Sequence, residues 1–250
     1  MLWLIMRMSS LPTYISEALD YCMEVRTPMI VVNMKAYAEV NGEGGLKIAK
    51  VCEEVAKELA EKKELSIIVC PPQASLAWIA TQVEIPCFAQ HVDAVEPGSH
   101  TGAVTLESVK ATGAAGTLVN HSERRLKIAD IDFIVQKAKK LQLLTVVCTN
   151  NVAVSRAVAA LEPYAVAVEP PELIGTGRSV SKVDPAVVEN SVKAVKKIYD
   201  DCIVLCGAGI TDGDDVRAAI ELGADGVLLA SGVVKAKDVR AKMLDLISGL

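Results

Sequence analysis

The chain has 250 residues and a formal net charge of −5, and 51% of its residues are hydrophobic while only 4% are aromatic. This length suits one domain of the eightfold β/α barrel type, and a core of aliphatic residues suits a buried parallel sheet. The acidic balance argues against nucleic acid or an anionic membrane as a partner, and no apolar run approaches the roughly 18 residues that span a bilayer.

The N-terminal residues 1–27 are predicted to be an extension of the main domain. The segment is a poor signal peptide, because no basic residue precedes its short apolar start and no small-residue cleavage site follows. Apolar residues between Leu11 and Met23 recur at helical spacing, which indicates a short amphipathic helix. The alternative is that translation starts at Met23 or Met29 and that the segment is not part of the protein.

From Pro28 onward, short β-branched runs alternate with longer helical patterns, which predicts right-handed βαβ units in one (β/α)8 TIM barrel over residues 28–250. One helix is predicted over residues 45–62, where Ala49, Cys52, Ala56 and Leu59 share a face. The predicted strands are residues 29–34, 66–70, 87–90, 117–120, 144–148, 165–168, 203–206 and 226–229.

An open, doubly wound sheet is the rival architecture, and it usually carries Gly-x-Gly-x-x-Gly after its first strand. Here the first strand runs into Asn33-Met34-Lys35, and the glycine-rich turns follow the last three strands. Barrels often place a phosphate site at those late turns, so the barrel is favoured.

The seven cysteines lie mostly in apolar runs without Cys-x-x-Cys, and His91, His100 and His121 lack the spacing of metal ligands. This pattern predicts buried free thiols in the cytoplasm and neither a metal nor a cofactor.

Residues at the carboxyl ends of barrel strands converge on one mouth, where this sequence places Lys35, His121, Glu169 and the turns 207–209 and 230–232. Each has a simpler explanation: a solvated lysine, a structural histidine, a capping glutamate, tight turns. Their equivalent positions in a repeating unit favour a shared site.

The set suits proton transfer between carbons beside a carbonyl group. A carboxylate base (Glu169), an electrophile (His121) and a cation (Lys35) are what this chemistry needs. Backbone N–H groups of the late turns and of residues 174–177 could surround a phosphate group.

Five motifs make the sequence recognisable: VNMK (residues 32–35), NHSERR (120–125), EPPELIGTG (169–177), CGAGI (206–210) and LLASG (228–232). In the order and spacing of these motifs, the chain resembles the triosephosphate isomerases, specifically their short archaeal branch, over about residues 28–250.

The resemblance implies residue roles in the interconversion of two triose phosphates. It makes Glu169 the proton acceptor, a neutral His121 the electrophile, and Asn33 and Lys35 substrate-binding residues, with Lys35 also neutralising developing charge. Glu123 would pair with Lys35. The phosphate would be bound by backbone N–H groups of Ile174 and Gly175 in a mobile lid and of Gly209, Ala230 and Ser231.

The resemblance also implies assembly. Loop 98–102 matches a segment whose threonine, here Thr101, reaches into a partner subunit, so a homo-oligomer is expected, a tetramer in preference to a dimer. Three departures stand out: residues 171–173 replace a frequent tryptophan, Gly209 replaces a serine, and Ala103 replaces an acidic residue.

Two alternatives differ from this function. Another phosphosugar barrel enzyme, such as an epimerase or a synthase, would share the phosphate turns but would lack both Asn33-x-Lys35 and the 120–123 motif. An inactive barrel that serves as a binding protein would be expected to have lost Glu169, His121 or Lys35, and all three are present.

Overall fold

The computed structural model describes residues 25–60, 64–170 and 179–250. Its strands are β1 Met29–Asn33, β2 Ser66–Cys70, β3 Phe88–Ala89, β4 Gly116–Val119, β5 Leu144–Thr149, β6 Ala165–Val168, β7 Ile203–Cys206 and β8 Gly226–Leu229. They form one parallel sheet in the order β2-β1-β8-β7-β6-β5-β4-β3. A parallel bridge between Val69 and Cys87 joins the two ends of this order. The predicted eight-stranded barrel is therefore confirmed.

Helices surround the barrel and connect its strands. Within the described residues they are α1 Glu43–Leu59, α2 Leu76–Ala80, α3 Leu106–Ala111, α4 Ile128–Lys140, α5 Val152–Ala159, α6 Val180–Val183, α7 Pro185–Ile198, α8 Gly213–Glu221, α9 Ser231–Val234 and α10 Val239–Ile247. Side chains of Thr105, Asn151, Asp184, Asp212 and Asp238 accept N–H bonds at five of the helix starts. Such caps satisfy donors that have no partner inside the helix. None of these helices is long and apolar enough to cross a membrane.

Several predicted boundaries differ by a few residues. Strand β4 ends before Asn120, because Asn120 has a φ of 60° and a left-handed residue cannot continue a strand. Strand β3 is two residues long instead of four, and β1 ends at Asn33 instead of residue 34. Helix α1 starts two residues before the prediction and ends at Leu59. The helix predicted between residues 11 and 23 lies outside the described residues.

Two apolar layers make up the core. Alternate residues such as Met29 and Val31 of β1 belong to one cluster with members from all eight strands, which fills the barrel interior. Their neighbours Ile30 and Val32 belong to a larger cluster that includes helix residues. Cysteines occupy both layers, and the six in the described residues are free and buried, as predicted.

Candidate functional site

The inward-facing alternation of the strands continues to the carboxyl-terminal mouth of the barrel. Glu169 follows Ala165 and Ala167 at intervals of two residues, so it extends the inward face of β6. Gly207 continues Leu205 of β7 and Ala230 continues Leu228 of β8 in the same way.

One pocket opens at this mouth. It is lined by Lys35, Tyr37, His121, Glu169, Gly207, Gly209, Ile210, Thr211, Leu228, Leu229, Ala230 and Ser231. The three charged or titratable groups predicted from the sequence therefore share one cavity with the predicted small-residue turns.

The carboxyl group of Glu169 is held inside the protein. The residue is 1% exposed, and its Oε2 oxygen has no hydrogen-bond partner within the described part of the chain. Burial raises the pKa of Glu169 to about 7, although a hydrogen bond from Cys148 and the positive charges of Lys35 and Arg125 act in the opposite direction. A carboxylate with this pKa can exchange protons at neutral pH.

His121 faces Glu169 across the pocket, and one backbone hydrogen bond determines its tautomer. The backbone N–H of Glu123 donates to the Nδ1 atom of His121 at 3.2 Å, so the proton of the neutral ring lies on Nε2. Burial lowers the pKa of His121 to about 4, and Lys35 and Arg125 add to this effect while Glu123 opposes it. The ring is therefore neutral near pH 7, as the family resemblance implied, with an N–H donor directed toward Glu169.

Lys35 is fixed by three neighbours at the end of β1. Its φ is 50°, and its backbone N–H donates to the Oδ1 atom of Asn33 at 3.0 Å. The Nε2 group of Gln90 donates to the carbonyl oxygen of Lys35 at 3.0 Å, and the Nζ atom of Lys35 lies 2.8 Å from the Oε1 atom of Glu123. Its side chain is only 12% exposed, which limits its conformations.

In the turn after β7, steric constraints explain why glycine occupies two of the positions. A Cβ atom at Gly207 would lie 2.5 Å from the Cγ atom of Glu169, so only glycine leaves room for the carboxylate side chain. Gly209 has a φ of 72°, a left-handed conformation that few other residues adopt. Among the described residues, no group of three or more His, Cys, Asp or Glu side chains is arranged to hold a metal ion.

Most of the predicted site residues that the structure describes lie at this pocket. Asn33 and Glu123 contact Lys35 from outside the lining. Thr101 is exposed in the loop after β3, and Ile174 and Gly175 lie outside the described residues.

From the sequence, no role was assigned to Tyr37, Gln90, Arg125, Cys148 or Thr211, although Arg125 lies in the 120–125 motif. Gln90 and Cys148 occupy strand ends. The expectation that the carboxyl ends of barrel strands converge on one mouth, which pointed to Lys35, therefore applies to them as well. Nothing in the sequence distinguishes Tyr37 and Thr211, which reach the pocket from loops.

A family model and individual relatives both indicate the same protein family. The sequence model of the triosephosphate isomerase family matches residues 28–249. A triosephosphate isomerase of Methanocaldococcus jannaschii is 54% identical over 219 residues, which is 88% of this chain and 98% of the relative. Those of Methanothermus fervidus and Methanopyrus kandleri are each 53% identical, over 88% and 90% of this chain and 98% and 99% of the relatives.

Proposed function

Because the chain belongs to the triosephosphate isomerase family, we propose that it interconverts D-glyceraldehyde 3-phosphate and dihydroxyacetone phosphate, with Glu169, His121 and Lys35 as its catalytic residues. The observation that carries this proposal is the single pocket in which a buried carboxyl group, a neutral imidazole and an ammonium group converge. These are the base, the electrophile and the cation that proton transfer beside a carbonyl requires.

The proposed reaction moves one proton between two neighbouring carbons and one between their oxygen atoms, while the connections between heavy atoms stay the same. The carboxylate of Glu169 removes a proton from the carbon beside the carbonyl group, and the electron pair of that C–H bond forms the enediolate. The Nε2–H group of His121 donates to the developing oxyanion, and Lys35 balances its negative charge. Glu169 then returns its proton to the neighbouring carbon, while the hydroxyl proton passes by way of the Nε2 atom of His121 to the former carbonyl oxygen. Aldose becomes ketose or the reverse, and both side chains end in their starting protonation states.

The phosphate end of the substrate would lie at the turns after β7 and β8. Gly209, Ala230 and Ser231 line this side of the pocket, and their backbone N–H groups are the proposed phosphate donors. From the family resemblance we also assign Ile174 and Gly175 to phosphate binding. Binding the phosphate far from the reacting carbons provides energy that orients the substrate.

We further propose that the protein acts as a homo-oligomer, in which Thr101 reaches toward the site of a neighbouring subunit. The loop that carries Thr101 is closed at its base, where the backbone N–H of Asp93 donates to the carbonyl oxygen of Val104 and the Oδ2 atom of Asp93 accepts the N–H of Val104, both at 2.8 Å. Between these residues, positions 96–102 are exposed. A tetramer is the preferred assembly and a dimer the alternative. The buried free cysteines support a cytoplasmic location.

The experiment that tests the activity is a coupled assay in both directions with the purified chain and with Glu169→Asp. The shorter side chain retains the carboxylate but withdraws it by about 1 Å, which can reduce the rate by about a hundredfold. We expect KM to change much less, since the phosphate contacts remain. Absence of isomerisation by the wild-type chain would refute the function, and near-normal turnover by Glu169→Asp would remove Glu169 from the mechanism.

A further inference from the structure

A second buried carboxylate lies behind the phosphate side of the pocket. Asp215 is in the first turn of α8 and is only 3% exposed. None of the steps proposed for proton transfer uses it. A buried carboxylate is costly unless donors surround it, so the partners of Asp215 indicate what it does.

One set of partners belongs to the wall of the pocket. The Oδ2 atom of Asp215 accepts the backbone N–H of Thr211 at 2.8 Å and the hydroxyl group of Thr211 at 2.7 Å. Thr211 lines the pocket two residues after Gly209, one of the proposed phosphate donors. Asp215 therefore holds the far end of the turn formed by residues 209–211.

The other set belongs to α6. The Nζ atom of Lys182 lies 2.7 Å from the Oδ1 atom of Asp215, and the hydroxyl group of Ser181 donates to the carbonyl oxygen of Asp215 at 3.2 Å. Ser181 is itself buried against Ser179, with their hydroxyl oxygens 2.7 Å apart. Burial tends to raise the pKa of Asp215, but the bonds from Lys182 and Thr211 outweigh it and keep the pKa below its usual value.

The near end of the same turn has a separate anchor. The backbone N–H of Gly207 donates to the carbonyl oxygen of Val168 at 2.9 Å, next to Glu169 in the chain. The carbonyl oxygen of Thr211 also accepts a bond from the Nζ atom of Lys242 at 2.9 Å. A change at Asp215 therefore loosens the N–H and hydroxyl side of Thr211, while Gly207, and with it the carboxylate of Glu169, stays in place.

We propose that Asp215 is a positioning residue for phosphate recognition, which ties the pocket turn 209–211 to Lys182 and Ser181 of α6. The Oδ2 atom of Asp215 binds the turn and its Oδ1 atom binds Lys182, while Ser181 binds its backbone carbonyl oxygen. The turn then presents its backbone N–H groups in the arrangement that a phosphate dianion requires. The inference rests on the proposed isomerase function.

The test compares Asp215→Asn with Asp214→Asn, since Asp214 is the adjacent carboxylate, 75% exposed and paired with Arg217. For the phosphorylated substrate we expect Asp215→Asn to raise KM by about tenfold with kcat changed by less than about threefold, because charged hydrogen bonds are lost at the turn alone. Asp214→Asn should match the wild type in both constants.

D-Glyceraldehyde, which lacks the phosphate group, separates positioning from general damage. Its deuterium exchange in D₂O, followed by NMR, should proceed with the same kcat/KM in Asp215→Asn and wild type. If both substrates lose kcat/KM equally, or if Asp215→Asn retains a normal KM, the assignment is wrong. The wild type must isomerise the phosphorylated substrate first, so failure of the proposed function would be recognised before any variant is compared.

Lys182→Met offers a second route if Asp215→Asn does not fold. The Lys182 side chain is 48% exposed, and its removal leaves the bonds between Asp215 and Thr211 intact. We expect a KM increase of about threefold, with D-glyceraldehyde again unaffected, because one charged hydrogen bond is removed. Lys193→Met is the matched control, since Lys193 is 67% exposed and pairs, within the described part of the chain, with Glu189 of its own helix. Identical KM values for the two lysine variants would contradict the connection through α6.

Discussion

The Nε2 atom of His121 lies 3.7 Å from the Oε2 atom of Glu169. Although the two groups could form an ion pair, burial raises the pKa of Glu169 to about 7 and lowers that of His121 to about 4. As the pH rises, the imidazolium of His121 therefore loses its proton at a lower pH than the carboxyl group of Glu169 does. Near pH 7 the ring is neutral and Glu169 is poised between its acid and base forms, which suits a donor facing a base.

The pH profile of kcat/KM follows from these values. We expect it to rise with pH, with a midpoint near 7, because only ionised Glu169 removes the substrate proton. At pH 5 it should be about a hundredfold below its plateau, two units below the pKa of the base. His121 adds no second limb above about pH 4. D-Glyceraldehyde is the substrate of choice, since it has no phosphate group that titrates. An acid limb centred near 4.5 would show that burial does not raise the pKa.

Glu169→Gln should stabilise the folded protein at alkaline pH. The folded-state pKa is raised from 4.5 to about 7, so wild-type stability is greatest below the lower value and falls as pH rises through the higher one. Above pH 7 the variant should gain on the order of 3 kcal/mol in unfolding free energy, and below pH 4.5 almost nothing. Urea unfolding at pH 4.5 and pH 8 measures this difference. An equal gain at both pH values would indicate a packing effect instead of a charge effect.

Lys35→Met should reduce both substrate binding and turnover. The methionine keeps much of the volume of the buried stem but lacks the charge that faces the pocket, and Glu123 loses its ion pair. We expect kcat/KM to fall by at least about a hundredfold, equivalent to about 3 kcal/mol for a preorganised charge. Lys35→Arg should restore activity only in part, because its planar guanidinium group cannot replace the compact ammonium group. Normal steady-state kinetics for Lys35→Met would remove this electrostatic role.

Gly207→Ala should displace the base without changing its chemistry. The new methyl group would meet the Cγ atom of Glu169 at 2.5 Å, so the carboxylate must move. We expect kcat to fall by about a hundredfold, since a shift of about 1 Å has such an effect. If kcat is unchanged in Gly207→Ala, the close contact does not determine the position of Glu169.

Assembly should be visible as a loss of activity on dilution. Segment 96–102 is exposed, and a partner subunit would provide hydrogen-bond partners for its backbone. Separated subunits should therefore be less ordered at the pocket mouth. On dilution, the molar mass measured by light scattering and the specific activity should fall over the same concentration range. A fully active monomer would refute the oligomer proposal and leave the proposed chemistry intact.

Agreement between the predicted and the observed strands differs from strand to strand. The observed bounds of β2, β6, β7 and β8 equal the bounds predicted from the sequence. The agreement arises because buried parallel strands need continuous apolar sequence. Strand β3 is Phe88–Ala89, shorter than the predicted residues 87–90, because apolar character alone does not specify which residues form a regular ladder.

The sequence by itself determined the family, the barrel and the positions of Lys35, His121 and Glu169, since strand ends in a repeating β/α unit must converge. Only the tertiary structure decided their chemical states. The tautomer of His121 depends on the N–H of Glu123, and the raised pKa of Glu169 depends on burial beneath the turn at Gly207. The connection from Asp215 to Lys182 is likewise absent from any motif, because it joins residues 33 positions apart whose helices meet only in the folded barrel. Local pattern encodes where a side chain begins, whereas its proton affinity is set by neighbours that are distant in the chain.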